Sequence, residues 1–298
     1  MNPDVKLGSA MSSREVPFMS ISSARAPSGP HAVVHIPHAS TVIPEDVRAT
    51  FVLSDKALER ELLRLTDRHT DELFALDPTI AVPVVFEVSR FVVDPERFTD
   101  DAFEPMAARG MGAVYMAATD GATLRAGLTP SQRAGLLSRF YEPHHAALEA
   151  ATLGVLDATR QCLIIDAHSF PSHPLPCDLN QDPVRPDVCI GTDPFHTPAQ
   201  LTADAAAAFA AHGLVVAVDR PYRGAIVPAR WFRRDARVSA VMVEVNRRLY
   251  MDEATGEKTA GFRQTRAAVR SVLLALIDEH GQTADRVRTT AGSGGDPL

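Results

Sequence analysis

Short apolar, β-branched runs recur along the chain with longer amphipathic stretches between them, and this alternation predicts strands alternating with helices. The runs are Ala32–Ile36, Ile80–Phe86, Phe91–Val93, Cys162–Ile165, Val188–Ile190, Leu214–Val218 and Val238–Val245. Apolar positions at helical spacing predict helices over Ser54–Leu76, Thr129–Ala158, Pro198–His212 and Gly261–Asp278. Ser54 stands as an N-cap, Thr129-Pro130 starts the second helix with proline in its first turn, and Pro143 is expected to kink that helix or shift its start. The segment from Asp94 to about Thr129 is interrupted by Gly and Pro, and a loop of that length suggests the wall or lid of a site. These elements give one α/β domain with a mixed, mostly parallel sheet flanked by helices.

Composition narrows the picture. The chain has 298 residues, of which 45% are hydrophobic, enough for one large core. Residues 1–30 and 282–298 have the composition of segments that do not pack, which leaves 31–281 as the domain. A balance of 30 basic against 37 acidic residues argues against a phosphate-backbone surface, so no nucleic-acid partner is expected. No apolar stretch is long enough for a membrane span, and the opening segment lacks a signal-type apolar region. Cys162, Cys177 and Cys189 form no close pair, which fits a reducing cytoplasm better than a disulfide framework.

Ligands of open α/β sheets bind beyond the carboxyl ends of the strands, so polar residues there carry extra weight. His38 follows the first strand, Asp166 and His168 follow the Cys162–Ile165 run, and Glu244 interrupts the apolar residues Val241–Val245. Two histidines with Asp67 from the neighbouring helix would supply the N/N/O set of a catalytic zinc. Taken singly, each histidine also has a plain reading as a hydrogen-bonded structural residue. A carboxylate inside an apolar strand is costly unless paired, so Glu244 is either a general base or the partner of Arg247 or Arg248. Arg90, Arg97 and Arg223 imply an acidic small molecule, because guanidinium groups grip carboxylates in a fork. Asp166, His69 and His145 are orienting residues or alternate ligands. Neither a phosphate-binding glycine loop nor a serine-hydrolase elbow is present.

Several ordered pieces carry a family resemblance: Ile36-Pro37-His38, Asp67 through Leu73, Ser89 through Asp94, Tyr141 through His145 and Asp166-Ala167-His168-Ser169. Asp187 through Thr192, Pro221 through Gly224, Glu244 through Arg247 and Tyr250-Met251-Asp252 continue it. From about Val33 to Asp252 the chain resembles the N-formylglutamate amidohydrolases. The resemblance implies a fold similar to the zinc carboxypeptidases and a bound divalent metal, zinc first. It also implies hydrolysis of N-formyl-L-glutamate to glutamate and formate, at the end of histidine degradation. On that pattern His38 and His168 are ligands and Glu244 is the general acid/base. Asp67 is the third ligand, because Thr41 stands where carboxypeptidases have a glutamate. One departure is Asp94-Pro95-Glu96-Arg97 where the family reads Asp-Leu-Asn-Arg. A carboxylate at position 96 facing the pocket would repel a glutamate side chain. Two alternatives follow: a metallo-acylase or peptidase acting on another N-acyl amino acid or peptide, and a non-catalytic binding protein of the same fold.

Overall fold

The computed structural model describes residues 30–292, with side chains to 282. The segment 1–29 and residues 293–298, expected not to pack, lie outside the described residues. In chain order the elements are β1 (Ala32–Ile36), α1 (Glu45–Arg48), α2 (Asp55–Leu65), α3 (Thr70–Leu73), β2 (Ala81–Val85), α4 (Pro130–Leu136), α5 (Glu142–Thr159) and β3 (Cys162–Phe170). They continue with β4 (Val188–Gly191), α6 (Ala199–Ala211), β5 (Val216–Val218), β6 (Val238–Asn246) and α7 (Phe262–Gly292).

The six strands form one sheet in the order β2-β1-β3-β6-β4-β5. All pairs are parallel except β4 with β6. This is the mixed, mostly parallel sheet that the alternation predicts, and both faces are covered. On one face Val34, Leu163, Ile165, Val243 and Val245 pack with Phe209 of α6 and Val269, Leu273 and Leu276 of α7. On the other, Val33, Cys162, Ile164, Val238 and Ala240 pack with Leu148 and Val155 of α5 and with Trp231. Burial of strands on both faces explains why they read as unbroken apolar runs rather than as alternating ones. No helix among the described residues is long and apolar enough to cross a membrane.

Four elements differ from expectation. The helix predicted over Ser54–Leu76 stops at Thr66, whose extended backbone ends α2, and His69 takes a left-handed φ of 68° before α3 begins. Leu73 keeps the apolar spacing across the break, which is why periodicity alone runs the two helices together. Phe91–Val93 is a buried turn, closed by Val92 N–H donating to the Ser89 carbonyl at 2.8 Å, and not a strand. Its side chains are apolar because they enter a third core with Met106, Met111, Tyr115 and Leu124, so the 94–129 segment carries its own packing. The Cys162–Ile165 run extends to Phe170, placing Asp166 and His168 inside β3 rather than past its end. Finally, α7 continues to Gly292, beyond the expected end at Asp278 and into the segment 282–298 expected not to pack.

The predicted kink before Pro143 is a π-helical turn over Leu137–Tyr141, which separates α4 from α5 and lets Pro143 fall in the first turn of α5. Since α5 rests on β1, β2 and β3 through Leu148, which is fully buried, Leu148→Ala should lower stability by about 2–5 kcal/mol. Thermal or urea unfolding measures the loss; a change below about 1 kcal/mol would contradict this packing.

Candidate active site

Side-chain alternation along the central strands changes character partway. On the α5 side of the sheet the first halves of the strands present Val33, Cys162, Ile164, Val238 and Ala240 to the core. Continuing by twos on that side brings His35, Asp166, His168, Met242 and Glu244. The strands therefore turn polar on one face at their carboxyl ends, beside a cleft of about 730 Å³ whose wall includes Asp166, His168 and Glu244. Register places His35 beside Asp166 and His168 beside Glu244.

His38, Asp67 and His168 converge, with a donor atom from each lying within 4.8 Å of the others. Asp67 reaches the two histidines from the break after α2, pinned there by its own N–H donating to the His38 carbonyl at 2.9 Å. His38 Nε2 binds Asp94 Oδ1 at 2.8 Å, which turns Nδ1 toward Asp67 Oδ2 at 3.7 Å, too far for a hydrogen bond. That Nδ1 is buried and has no partner. His168 Nδ1 lies 3.2 Å from Asp67 Oδ2, and its Nε2 lies 3.1 Å from Asp166 Oδ1. Two imidazoles, each with one nitrogen facing a common carboxylate and the other fixed by a second carboxylate, have the form of a metal centre with its supporting shell. An orphaned, buried His38 Nδ1 fits a cation there.

The electrostatics of the cluster follow from burial. Asp67 is pushed up by desolvation, yet hydrogen bonding from His168 and the charge of Arg247 hold it below the usual carboxylate range. Burial alone would lower the His168 pKa, but the charge of Asp166 and the hydrogen bonds to Asp166 and Asp67 raise it well above the ordinary value. Asp94 likewise stays ionised against its burial because Arg90 and His38 face it. Glu244 differs. Desolvation raises it to about 8, and its Oε2 has no hydrogen-bond partner. β6 is an interior strand, Arg247 donates to Asp67, and Arg248 donates to Asp187, so neither arginine pairs with Glu244 as the plainer reading requires.

The three arginines divide. Arg90 is spent on the frame: its Nε and Nη2 bind Asp94 Oδ2 at 3.2 and 2.8 Å, and Tyr115 lies 3.1 Å from Nε. Arg97 lines the cleft with a buried Nε that has no hydrogen-bond partner, at 3.6 Å from Asp94. Arg223 is exposed at the cleft wall. His69 is not brought to the cluster: its Nε2 donates to the Gly256 carbonyl at 2.8 Å, on the far side of the left-handed turn. His145 stacks on Tyr141 and bonds the Pro95 carbonyl at 2.9 Å, so it supports the lid from beneath. Glu96 does reach inward, with Oε1 at 3.2 Å from His35 Nδ1 and Oε2 at 3.9 Å from His168 Nε2. Burial and the nearby Asp166 raise its pKa well above the carboxylate norm.

Four contributors escaped the sequence reading. His35 is fully buried and links Asp166, at 2.9 Å, to His144, at 2.8 Å between the two Nε2 atoms. Its signal was present, since it interrupts the apolar β1 run as Glu244 interrupts β6. Asp94 looked like a loop breaker, and its hold on His38 leaves no sequence mark. His144 was visible only as a member of a longer motif, and Arg247 was read as a possible partner of Glu244 rather than of Asp67.

The model of the N-formylglutamate amidohydrolase family matches residues 31–251. An N-formylglutamate deformylase of Pseudomonas putida is 30% identical over 146 residues, 47% of this chain and 52% of that protein. The chain thus spans about half the length of the curated relative it matches. The crystal structure of an N-formylglutamate amidohydrolase from Ralstonia eutropha is similar at TM-score 0.69 and 23% identity, covering 89% of this chain and 97% of that one. That of a gene product from Agrobacterium tumefaciens is similar at TM-score 0.57 and 18% identity, covering 87% and 93%. These two likenesses establish a shared fold.

Two outcomes follow from the geometry. Asp94→Asn removes the carboxylate that fixes the His38 ring, so affinity for added Zn2+ should fall about 10- to 100-fold with the fold retained, as calorimetry would register. Glu244 has a folded pKa of about 8 against an ordinary 4.5, so the folded protein keeps a proton that the unfolded chain has released. Its contribution to stability is intact below about pH 4.5 and is lost as the pH rises toward 8. In metal-free protein, Glu244→Gln should therefore gain melting temperature relative to wild type between pH 5 and pH 8; a constant gap would contradict the raised pKa.

Proposed function

The chain belongs to the N-formylglutamate amidohydrolase family, and from that membership we propose that it is a metal-dependent hydrolase of N-acyl amino acids, with N-formyl-L-glutamate the first candidate substrate. The single observation that carries this reading is the convergence of His38, Asp67 and His168 beside an unpaired Glu244 at the wall of the cleft. The products would be glutamate and formate, as in the last step of histidine degradation. The three buried free cysteines suit a reducing, cytoplasmic setting.

His38, Asp67 and His168 would hold a divalent ion, and the N/N/O donor set suits zinc. When bound, such an ion supplies Lewis acidity toward an acyl carbonyl and toward water. Glu244 takes a proton from the attacking water as its oxygen adds to the acyl carbon, and returns that proton to the amine nitrogen as the C–N bond breaks. A cation held at the triad would oppose the desolvation that raises Glu244 and so favour the ionised form that acts as the base. Arg97 and Arg223 hold substrate carboxylates, because Arg90 is committed to Asp94. Asp94 and Asp166 keep the two imidazoles oriented, and Arg247 does the same for Asp67 at 2.9 Å.

A second reading, a related metallo-acylase or peptidase with a different preferred substrate, is favoured by Glu96, which lines the cleft together with Asp67 and Asp166. A panel of N-formylglutamate, N-formylaspartate, N-acetyl and N-succinyl amino acids separates the two by kcat/KM. Glu244→Gln should keep its bound metal while kcat drops about 10²- to 10⁴-fold on whichever substrate the wild type prefers. A fully active Gln variant would remove Glu244 from the mechanism.

A further inference from the structure

A second cluster stands behind the first. His35 from β1 and Asp166 from β3 are both fully buried, and Glu96 descends on them from the start of the lid with its side chain 17% exposed. Two carboxylates converge on one ring nitrogen: His35 Nδ1 lies 2.9 Å from Asp166 Oδ1 and 3.2 Å from Glu96 Oε1. That nitrogen carries at most one hydrogen. Asp166 takes the bond, and Glu96 Oε1 is left buried without a hydrogen-bond partner. No lysine or arginine lies within ion-pair distance of either carboxyl group among the described residues, so two acidic side chains share a buried site whose ion-pair partners are histidines.

We propose that His35, Glu96 and Asp166 form a second site for a divalent cation, back to back with the His38–Asp67–His168 triad across the ring of His168. One donor atom from each of the three residues lies within 4.8 Å of the others, and the 2.9 and 3.2 Å separations are close to the spacing of neighbouring ligands around a small ion with bonds of about 2.0–2.2 Å. The other nitrogen of His35 lies 2.8 Å from His144 Nε2. With a hydrogen on His35 Nε2 donated to His144, the Nδ1 lone pair is free for the ion, and the contact fixes that tautomer as supporting partners of ligating histidines do. One nitrogen with two carboxylate oxygens suits Zn2+ or Mn2+. Glu96 and Asp166 both line the cleft, so an ion can enter from there. Once bound it holds Glu96 as a carboxylate and offsets the charge of the pair, so that an acidic ligand meets no net repulsion there. The site stands on its own residues and does not depend on the amidohydrolase reading.

Metal counting tests it. Metal-stripped full-length protein is saturated with Zn2+ alone, passed through a desalting column and analysed for zinc per chain, with melting curves recorded for every variant. Wild type should hold two ions, Glu96→Gln and His35→Gln one, Asp67→Asn one, and Glu96→Gln combined with Asp67→Asn none. A single ion lost in Asp67→Asn and kept in Glu96→Gln belongs to the triad and overturns the proposal, as do two ions retained in Glu96→Gln. A single ion kept in Asp67→Asn and lost in both Glu96→Gln and His35→Gln upholds the second site and removes the ion from the triad instead.

Discussion

Arg247 leaves the end of β6 and spreads its guanidinium between three parts of the chain. Nη2 donates to Asp67 Oδ1 at 2.9 Å and to the Ser169 carbonyl at 3.3 Å, Nε donates to the Ser169 hydroxyl at 3.2 Å, and Nη1 donates to the Arg64 carbonyl. The group is buried, so its charge is tolerable only because Asp67 answers it, and Asp67 is tolerable only because Arg247 and the histidines answer it in turn. This mutual requirement ties the end of α2 to the end of β3. Asp67 sits on no regular element; the arginine, with the backbone bond to His38, is what makes its position definite.

A hierarchy of carboxylates follows from the same rule. Asp67, Asp94 and Asp166 are buried beside arginines or histidines and are held ionised. Glu244 and Glu96 are buried without a fixed cation and drift toward the neutral form. One side chain type thus serves two purposes on neighbouring residues. The first group fixes the positions of the imidazoles and of Arg247, and the second is the one that can exchange protons at the cleft.

Much of this was legible in the sequence, for reasons that differ by residue. The sheet could be read because strands buried on both faces leave continuous apolar runs, and Glu244 could be read because it breaks such a run. His38, Asp67 and His168 were legible as a set, through their places near strand ends and in a resemblance that spans most of the chain. What could not be read was long-range pairing. Asp94 supports His38 from 56 residues away and His35 meets His144 across 109, and no local periodicity records such contacts. The break at Thr66 was hidden because Leu73 preserves helical spacing across it. Phe91–Val93 passed for a strand because a buried turn and a buried strand demand the same residue types. Arg90 illustrates another limit: an arginine able to bind a ligand carboxylate and one already bound to Asp94 look alike in one dimension.

The π-helical turn over Leu137–Tyr141 also shapes the site. Such a turn acts as one residue inserted into an α-helix, and each added residue rotates everything downstream by about 100° around the axis. His144 and His145 follow within a turn, the first aimed at the sheet and His35, the second at the lid and the Pro95 carbonyl. Straightening that turn to regular α geometry would swing both rings off their targets together. The helix therefore behaves as a two-pronged key whose cut is set upstream of its teeth, and the inner wall of the cleft inherits its angular setting from a single surplus residue.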